Sequence, residues 1–366
     1  CNQFTFPSVL KACSMTKDLE LGKQVHGIAV VTGFESDVFV ANTLVVMYAK
    51  CGEFGSSRRL FDTIPERNVV SWNALFSCYV QGDFCGEAVD LFQEMILNGI
   101  RPNEFSLSSI LNACSGLGDD SQGKKTHGYL IKLGYDSDPF SANALVDMYA
   151  KVGDIEDAIA VFEEIARPDI VSWNAIIAGC VLHEYHGWAL NLFAQLKRSE
   201  ICPNMFTLSS ALKACSGLGL KASGRQLHSR LITMDIESDS FVGVGLIDMY
   251  SKCDMMGEAR MVFYLMPKKD LIAWNAVISG HAYNGEDMEA VSLFTEMFKE
   301  GIGFNQTTLS TVLKSTASLL YINVCKQVHA LSVKSGFHSD NYVVNSILDT
   351  YGKCSHAENA ARIFEE

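Results

Sequence analysis

Prolines are scarce, 7 in 366 residues, and no low-complexity or proline-rich stretch interrupts the chain, so flexible linkers do not organise it. No apolar run approaches the ~20 residues that a helix needs to cross a bilayer, and no membrane partner is expected. Twelve cysteines are present without a single Cys-x-x-Cys, the spacing that would announce a metal knuckle or a redox pair. The polar–apolar alternation of half-buried strands is missing too. So is any excess of basic residues: the net charge is −13, where most nucleic-acid binders carry a positive face. With 48% hydrophobic residues the chain is apolar enough to pack well, and its length would ordinarily imply two or more domains.

What is there is repetition. Trp72, Trp173 and Trp274 stand in the strings SWNAL (71–75), SWNAI (172–176) and AWNAV (273–277), at intervals of 101 residues. His26, His127, His228 and His329 keep that period, as do Tyr48, Tyr149, Tyr250 and Tyr351, each two residues before a lysine. The tripeptide Ala-Cys-Ser ends at Ser14, Ser115 and Ser216. A fixed period of this kind describes an array whose units bury apolar surface against their neighbours, so the core lengthens without thickening. Cys13, Cys114 and Cys215 follow Leu10, Leu111 and Leu212 by three residues, the spacing of one helix face, and read as reduced, buried thiols.

Each period divides into three helical hairpins, first as residues 3–37, 38–68 and 69–103, of 35, 31 and 35 residues. In the third, Trp72, Leu75, Phe76 and Tyr79 share a helix face, with Ser71 expected as N-cap. Gly82-Asp83 breaks that helix. A second helix carries Ala88, Leu91, Phe92 and Met95 and stops at Asn98-Gly99. The expected fold is all-α, a right-handed superhelical solenoid of helix-turn-helix repeats with the first helix of each hairpin, helix A, on the concave side.

The 69–103 hairpin fits the tetratricopeptide pattern in part, but the cycling lengths do not. Those lengths, with VVSWNAL (69–75), GKQVHG (22–27), MYAKCG (47–52) and IRPN (100–103), resemble the plant pentatricopeptide repeat family, in its subclass of alternating P, L and S repeats. The resemblance covers the whole chain as one array. It implies L repeats at 3–37, 104–138, 205–239 and 306–340, S repeats at 38–68, 139–169, 240–270 and a truncated 341–366, and P repeats at 69–103, 170–204 and 271–305. Cys1-Asn2 would be the tail of a lost P repeat, the chain an internal fragment of the tract, and its natural ends elsewhere.

Members of this family bind single-stranded RNA in plant organelles, one repeat per base. The resemblance implies that the fifth and last residues of each repeat select the base and that the second packs on it. The P pairs are Asn73 with Asn103, Asn174 with Asn204 and Asn275 with Asn305, for C or U. The S pairs are Asn42 with Asn68, for C or U, and Asn143 with Asp169, for U, because a carboxylate only accepts and matches a ring N–H. Val244 with Asp270 breaks the pattern and is expected to read weakly, and Asn345 lies in the truncated repeat. The L positions Ser108 with Asp138, Ser209 with Asp239, Ser310 with Asp340, and Pro7 with Asp37 are weaker candidates to which no base is assigned.

The base-packing candidates are Phe39, Val70, Phe140, Val171, Phe241 and Ile272, with Tyr342 in the truncated repeat; the alternative is that these residues merely start helix A and pack inward. Lys50, Lys151, Lys252 and Lys353, at the thirteenth position of S repeats, are the phosphate candidates, although lysines that complement a helix C-terminus would give the same pattern. The acidity argues against a polyanion. It is reconciled if recurrent acids such as Glu87 with Asp90 and Glu156 with Asp157 lie on outward-facing second helices, leaving affinity to depend on base contacts.

Catalytic signals are weak. His183-Glu184-Tyr185-His186, in helix-forming sequence, has its histidines at i, i+3 where a zincin needs i, i+4. His356-Ala357-Glu358 matches the His-x-Glu of zinc deaminases, but no Pro-Cys-x-x-Cys follows. His26 and its equivalents are too far apart to share a metal and read as packing residues of the second helix. No enzyme activity, metal or cofactor is expected of this chain.

The leading reading is therefore a sequence-specific, single-stranded RNA binder of a mitochondrion or chloroplast, monomeric, specifying C-to-U editing sites. Family resemblance places the deaminase chemistry in a C-terminal domain or a partner, and implies multiple organellar RNA editing factor proteins as partners through L repeats. The alternative is a tetratricopeptide-like scaffold that grips a peptide. Asparagine at both the fifth and last positions of every P repeat favours the RNA reader, and the acidity favours the scaffold.

Overall fold

The computed structural model describes residues 4–136, 138–234 and 239–365. Cys1 and Asn2 lie outside the described residues. Among the described residues the regular structure is helical, and the chain divides into two compact units between His183 and Glu184.

In the first unit, A helices α1 (Thr5–Thr16), α3 (Val38–Lys50), α5 (Val69–Gln81), α7 (Glu104–Leu117), α9 (Pro139–Val152) and α11 (Ile170–Leu182) pack in a row, each on the next. The B helices α2 (Leu19–Val31), α4 (Phe54–Thr63), α6 (Cys85–Leu97), α8 (Asp120–Leu133) and α10 (Ile155–Glu164) each lie against their own A helix and the A helix that follows. The second unit begins with a B helix, α12 (His186–Leu196), and repeats the scheme. Its A helices are α13 (Met205–Leu218), α15 (Ser240–Lys252), α17 (Leu271–Tyr283), α19 (Gln306–Ser318) and α21 (Asn341–Lys353). The B helices between and after them are α14 (Lys221–Thr233), α16 (Met256–Leu265), α18 (Asp287–Lys299), α20 (Ile322–Lys334) and α22 (Ala357–Glu365).

The turn between A and B helices needs a left-handed residue, and one recurs at positions 17, 52, 83, 118, 153, 184, 219, 254, 285, 320 and 355, in successive steps of 35, 31 and 35 residues. Glycine takes this conformation without steric cost, as at Gly118 and Gly219; Asp83 and Asp254 tolerate it, whereas Glu184 and Leu320 are held there against their preference. His183-Glu184-Tyr185-His186 thus spans this turn and is not one helical stretch: α11 ends at Leu182, Glu184 has φ 63°, and His186 opens α12.

The core is layered at the same period. Trp72, Trp173 and Trp274 meet Phe61, Phe162 and Phe263 edge-on, with centroids 4.9, 4.6 and 4.7 Å apart. Such pairs contribute roughly 0.5–1.5 kcal/mol beyond the area they bury. The phenols of Tyr48, Tyr149, Tyr250 and Tyr351 lie 2.8–3.2 Å from Nδ1 of His26, His127, His228 and His329, tying each L hairpin's B helix to the next A helix. Burial raises all four phenols, Tyr149 to about 12, so these hydroxyls stay protonated at neutral pH.

A Cβ on Gly22, Gly123 or Gly224 would overlap the sulphur of Met47, Met148 or Met249. In the fourth period Cys325 replaces the glycine and Thr350 the methionine, a trade of volume that keeps both residues buried. Cys13, Cys114 and Cys215 are buried, and burial raises their thiols, Cys114 to about 12 and Cys215 to about 11, so they stay protonated at neutral pH.

Candidate nucleic-acid interface

Among the described residues, each last-position residue caps the A helix that follows it. Asp37, Asp138, Asp239 and Asp340 cap α3, α9, α15 and α21; Asn68, Asp169 and Asp270 cap α5, α11 and α17; Asn103, Asn204 and Asn305 cap α7, α13 and α19. Asn68, not Ser71, is therefore the N-cap of α5, and its side chain accepts from the N–H groups of Val70 and Ser71. An oxygen-bearing side chain at the last position has a structural reason of its own, which removes half of the argument that a scaffold would not conserve it within the array. The fifth position carries the remaining weight.

At that position the asparagines join the caps. Asn73 Nδ2 donates to Asn103 Oδ1 at 3.0 Å, and the hydroxyl of Ser106 donates to Asn73 Oδ1 at 2.7 Å. Asn275 repeats this with Asn305 at 3.3 Å and Thr308 at 2.6 Å, and Asn143 with Asp169 at 3.3 Å and Ser172 at 2.6 Å. Burial pushes the Asp169 carboxyl up, but hydrogen bonds from Ser172, Asn143 and the Val171 N–H outweigh it and hold the group below the ordinary carboxylate value. Asp169 is thus ionised at neutral pH and offers only acceptors. Asn204 accepts from the Thr207 N–H at 3.1 Å and its hydroxyl at 3.0 Å. Asn174 lies on α11, on the other side of the boundary between the units.

Other fifth positions differ. Asn42 is 9% exposed and its Oδ1 is buried without a hydrogen-bond partner, while Ser71 turns instead onto Asn68 at 3.3 Å. The hydroxyls of Ser108, Ser209 and Ser310 are buried and make no hydrogen bond, so the L hairpins present no comparable polar pair. Val244 has no polar side-chain atom to offer, and the Asp270 carboxylate takes the Ser240 hydroxyl at 3.2 Å. Asn345 sits on α21.

Second-position side chains do not pack inward. Phe39, Val70, Phe140, Val171, Phe241, Ile272 and Tyr342 are each 53–77% exposed at the start of an A helix. Phe4, Phe105 and Phe206 extend the set into the L hairpins, which the sequence reading passed over although their register equals that of Phe39. Phe105 meets Phe140 at 5.5 Å between centroids, and Phe206 meets Phe241 at 6.5 Å. These rings are planar apolar faces, and those of Phe39, Phe140 and Tyr342 stand three residues before the fifth-position asparagines Asn42, Asn143 and Asn345.

The thirteenth-position lysines are exposed, but three are engaged. Lys151, Lys252 and Lys353 pair with Asp147, Asp248 and Asp349 one turn earlier, at 2.8, 3.1 and 2.8 Å. Exposed pairs of this kind contribute about 0.3–0.5 kcal/mol and yield readily to a phosphate. Lys50 has Val46 at that place and lines an open groove of about 460 Å³ with Lys17 and Gln81, whose walls hold no carboxylate. Asp147, Asp248 and Asp349 recur at 101 residues like the lysines, and that spacing is the signal in the sequence that marks the pairs. Glu87, Asp90 and Glu156 are exposed and Asp157 is half-buried, all on B helices.

Fold and site together define an all-α helical-repeat protein whose A helices begin with a repeated apolar face and a polar pair. Profiles described as PPR repeat family match residues 67–116 and 168–217, and as PPR repeat residues 140–167, 245–271 and 272–302. Over its whole length the chain is 37% identical to a mitochondrial pentatricopeptide repeat-containing protein of Arabidopsis thaliana, and over 98% of it 34% identical to a chloroplastic one. It spans 53% and 41% of those relatives. The chain belongs to the pentatricopeptide repeat family. Its fold is similar to that of the pentatricopeptide repeat protein PPR10 in complex with an 18-nt psaJ RNA element, with a TM-score of 0.73 and 17% identity over 92% of this chain and 51% of that one. PPR10 from maize matches at a TM-score of 0.56.

Proposed function

We propose that this chain is the base-reading tract of a P-L-S pentatricopeptide protein that binds single-stranded RNA in a mitochondrion or chloroplast, one base per hairpin, and specifies C-to-U editing sites. The observation that carries it is the amide pair beside an exposed apolar face, present at Val70 with Asn73 and Asn103 and at Ile272 with Asn275 and Asn305.

The chemistry follows from what the cap leaves over. In Asn103 the oxygen is spent on the helix, so its Nδ2 and the second N–H of Asn73 face outward as donors, matched by O2 and N3 of cytosine or the carbonyls of uracil. In Asp169 the unspent oxygen accepts, which suits the N3–H of uracil. The apolar second residue holds the face of the base, worth ~1–3 kcal/mol where it is aromatic. Lys50, Lys151, Lys252 and Lys353 neutralise phosphates. Deamination itself falls to a domain or partner beyond this chain, and editing factor proteins dock at L repeats.

The test is equilibrium binding of two single-stranded RNAs, with pyrimidines or purines at every P and S position, to the chain and to its Asn73→Ala, Asn174→Ala, Asn275→Ala triple variant. The proposal expects a pyrimidine preference that the variant loses. Equal binding of both RNAs by the unaltered chain would turn the reading toward a peptide-binding scaffold.

A further inference from the structure

We infer that the hydroxyl at the third position of a hairpin, in Ser106, Ser172 and Thr308, is a specificity-determining positioning residue for the hairpin before it, holding the fifth-position amide of Asn73, Asn143 and Asn275 with its unspent N–H toward the base. This rests on the base-reading proposal and deepens it.

An asparagine amide is nearly symmetric in shape. A half-turn of its terminal torsion exchanges donor and acceptor at little steric cost, so an unrestrained amide distinguishes poorly between complementary base edges. The cap removes that freedom. The Ser106 N–H donates to Asn103 Oδ1 at 3.0 Å, so only a donor can approach that oxygen from Asn73. Asn73 Nδ2 does so at 3.0 Å, which leaves Asn73 Oδ1 facing Ser106 Oγ at 2.7 Å. The hydroxyl accepts from the Asn103 N–H at 3.3 Å, which directs its proton toward the amide oxygens. Turning the Asn73 amide over would oppose two acceptors, a costly arrangement in a place where Ser106 is fully buried. The same ring closes at Asn143, Asp169 and Ser172 and at Asn275, Asn305 and Thr308.

Capping alone does not explain the hydroxyl. At the third position after Val244 stands Ala273, and its N–H is still capped by Asp270 at 3.0 Å. Along the sequence the hydroxyl follows the amide: Asn42, Asn73, Asn143, Asn174 and Asn275 are succeeded by Ser71, Ser106, Ser172, Thr207 and Thr308, whereas Pro7, Ser209 and Ser310 are succeeded by Val40, Val242 and Val343. Ser141 after Ser108 is the exception, and its hydroxyl has no hydrogen-bond partner. Ser71 forms no ring with Asn42, so the 38–68 hairpin should discriminate less than 69–103.

The experiment measures binding of a single-base substitution series of RNA, all four bases in turn at each position, together with thermal melting of each variant. Ser106→Ala is expected to lower the pyrimidine-to-purine ratio about fivefold to tenfold at one position, the loss of one hydrogen bond's orienting effect, and to leave other positions unchanged. Ser106→Thr should retain the ratio and Ser141→Ala should alter none. Val244→Asn with Ala273→Ser should create a preference at the hairpin 240–270 that Val244→Asn alone does not. If Ser106→Ala changes melting but no base ratio, or Val244→Asn alone matches the double variant, the hydroxyl only supports the helix and the inference is wrong. If the unaltered chain shows no pyrimidine preference at any position, the base-reading proposal fails first and the inference with it.

Discussion

The hairpins 139–169 and 240–270 have the same length, an exposed phenylalanine at the second position and an aspartate that caps the next helix. They differ at the fifth position, where Asn143 becomes Val244, and the hairpins that follow them differ at the third, where Ser172 becomes Ala273. The helices, an aspartate at the N-cap and the layer of Phe162 on Trp173 or Phe263 on Trp274 survive the exchange, although Asp270 caps α17 through the Ala273 N–H alone where Asp169 and Ser172 form a capping box. The polar pair is therefore not needed to build the array, and a position that folding leaves free is one that function can use.

The comparison can be sharpened first by removing what the two hairpins share. Phe140→Ala and Phe241→Ala should each weaken RNA binding by about 1–3 kcal/mol, seen as an affinity loss of similar size for every base at that position. A loss confined to one base would mean that the ring selects as well as stacks. Next, Asn143→Val should make 139–169 behave like 240–270, with roughly a tenfold fall in base discrimination at that position and little change in melting temperature. Asp169→Asn should move the preference there from U alone to C or U, because an amide adds a donor where the carboxylate had none.

Acidity bears on Asp169 itself. Since the folded Asp169 group is held low, its contribution to stability is complete above the ordinary carboxylate range and declines as pH falls through its depressed folded value. Melting followed downward in pH should show this loss in the unaltered chain and less of it in Asp169→Asn. The smallest effect concerns charge. Lys50→Ala should reduce the salt dependence of RNA binding by about one unit of slope, and Lys151→Ala by less, because Asp147 already neutralises Lys151.

Much of this was legible in the sequence, and the reason is periodicity. The 101-residue spacing of Trp72, Trp173 and Trp274 located the core layers, and helix spacing placed Cys13, Cys114 and Cys215 inside. Local capping was harder to read. Ser71 looks like an N-cap by type, but the helix starts at Val69, and only the backbone shows that Asn68 takes that role. The left-handed turn at Glu184 was hidden because glutamate is a good helix former. For the site, residue type at the fifth position could be listed from sequence, whereas accessibility could not: Asn42 and Asn73 read alike, yet the Asn42 oxygen is buried without a partner. The third-position hydroxyls escaped notice because a serine at a helix start is unremarkable until its contact with the preceding hairpin is seen.

The most direct test is selection of RNA from a random single-stranded pool by this chain at fixed salt, with sequencing of the bound fraction. The account predicts one motif with pyrimidines at the positions of 69–103, 139–169, 170–204 and 271–305, a weaker one at 38–68, and no preference at 240–270 or at the L hairpins. A bound pool without such a motif, or one in which the 240–270 position is as selective as that of 139–169, would contradict it.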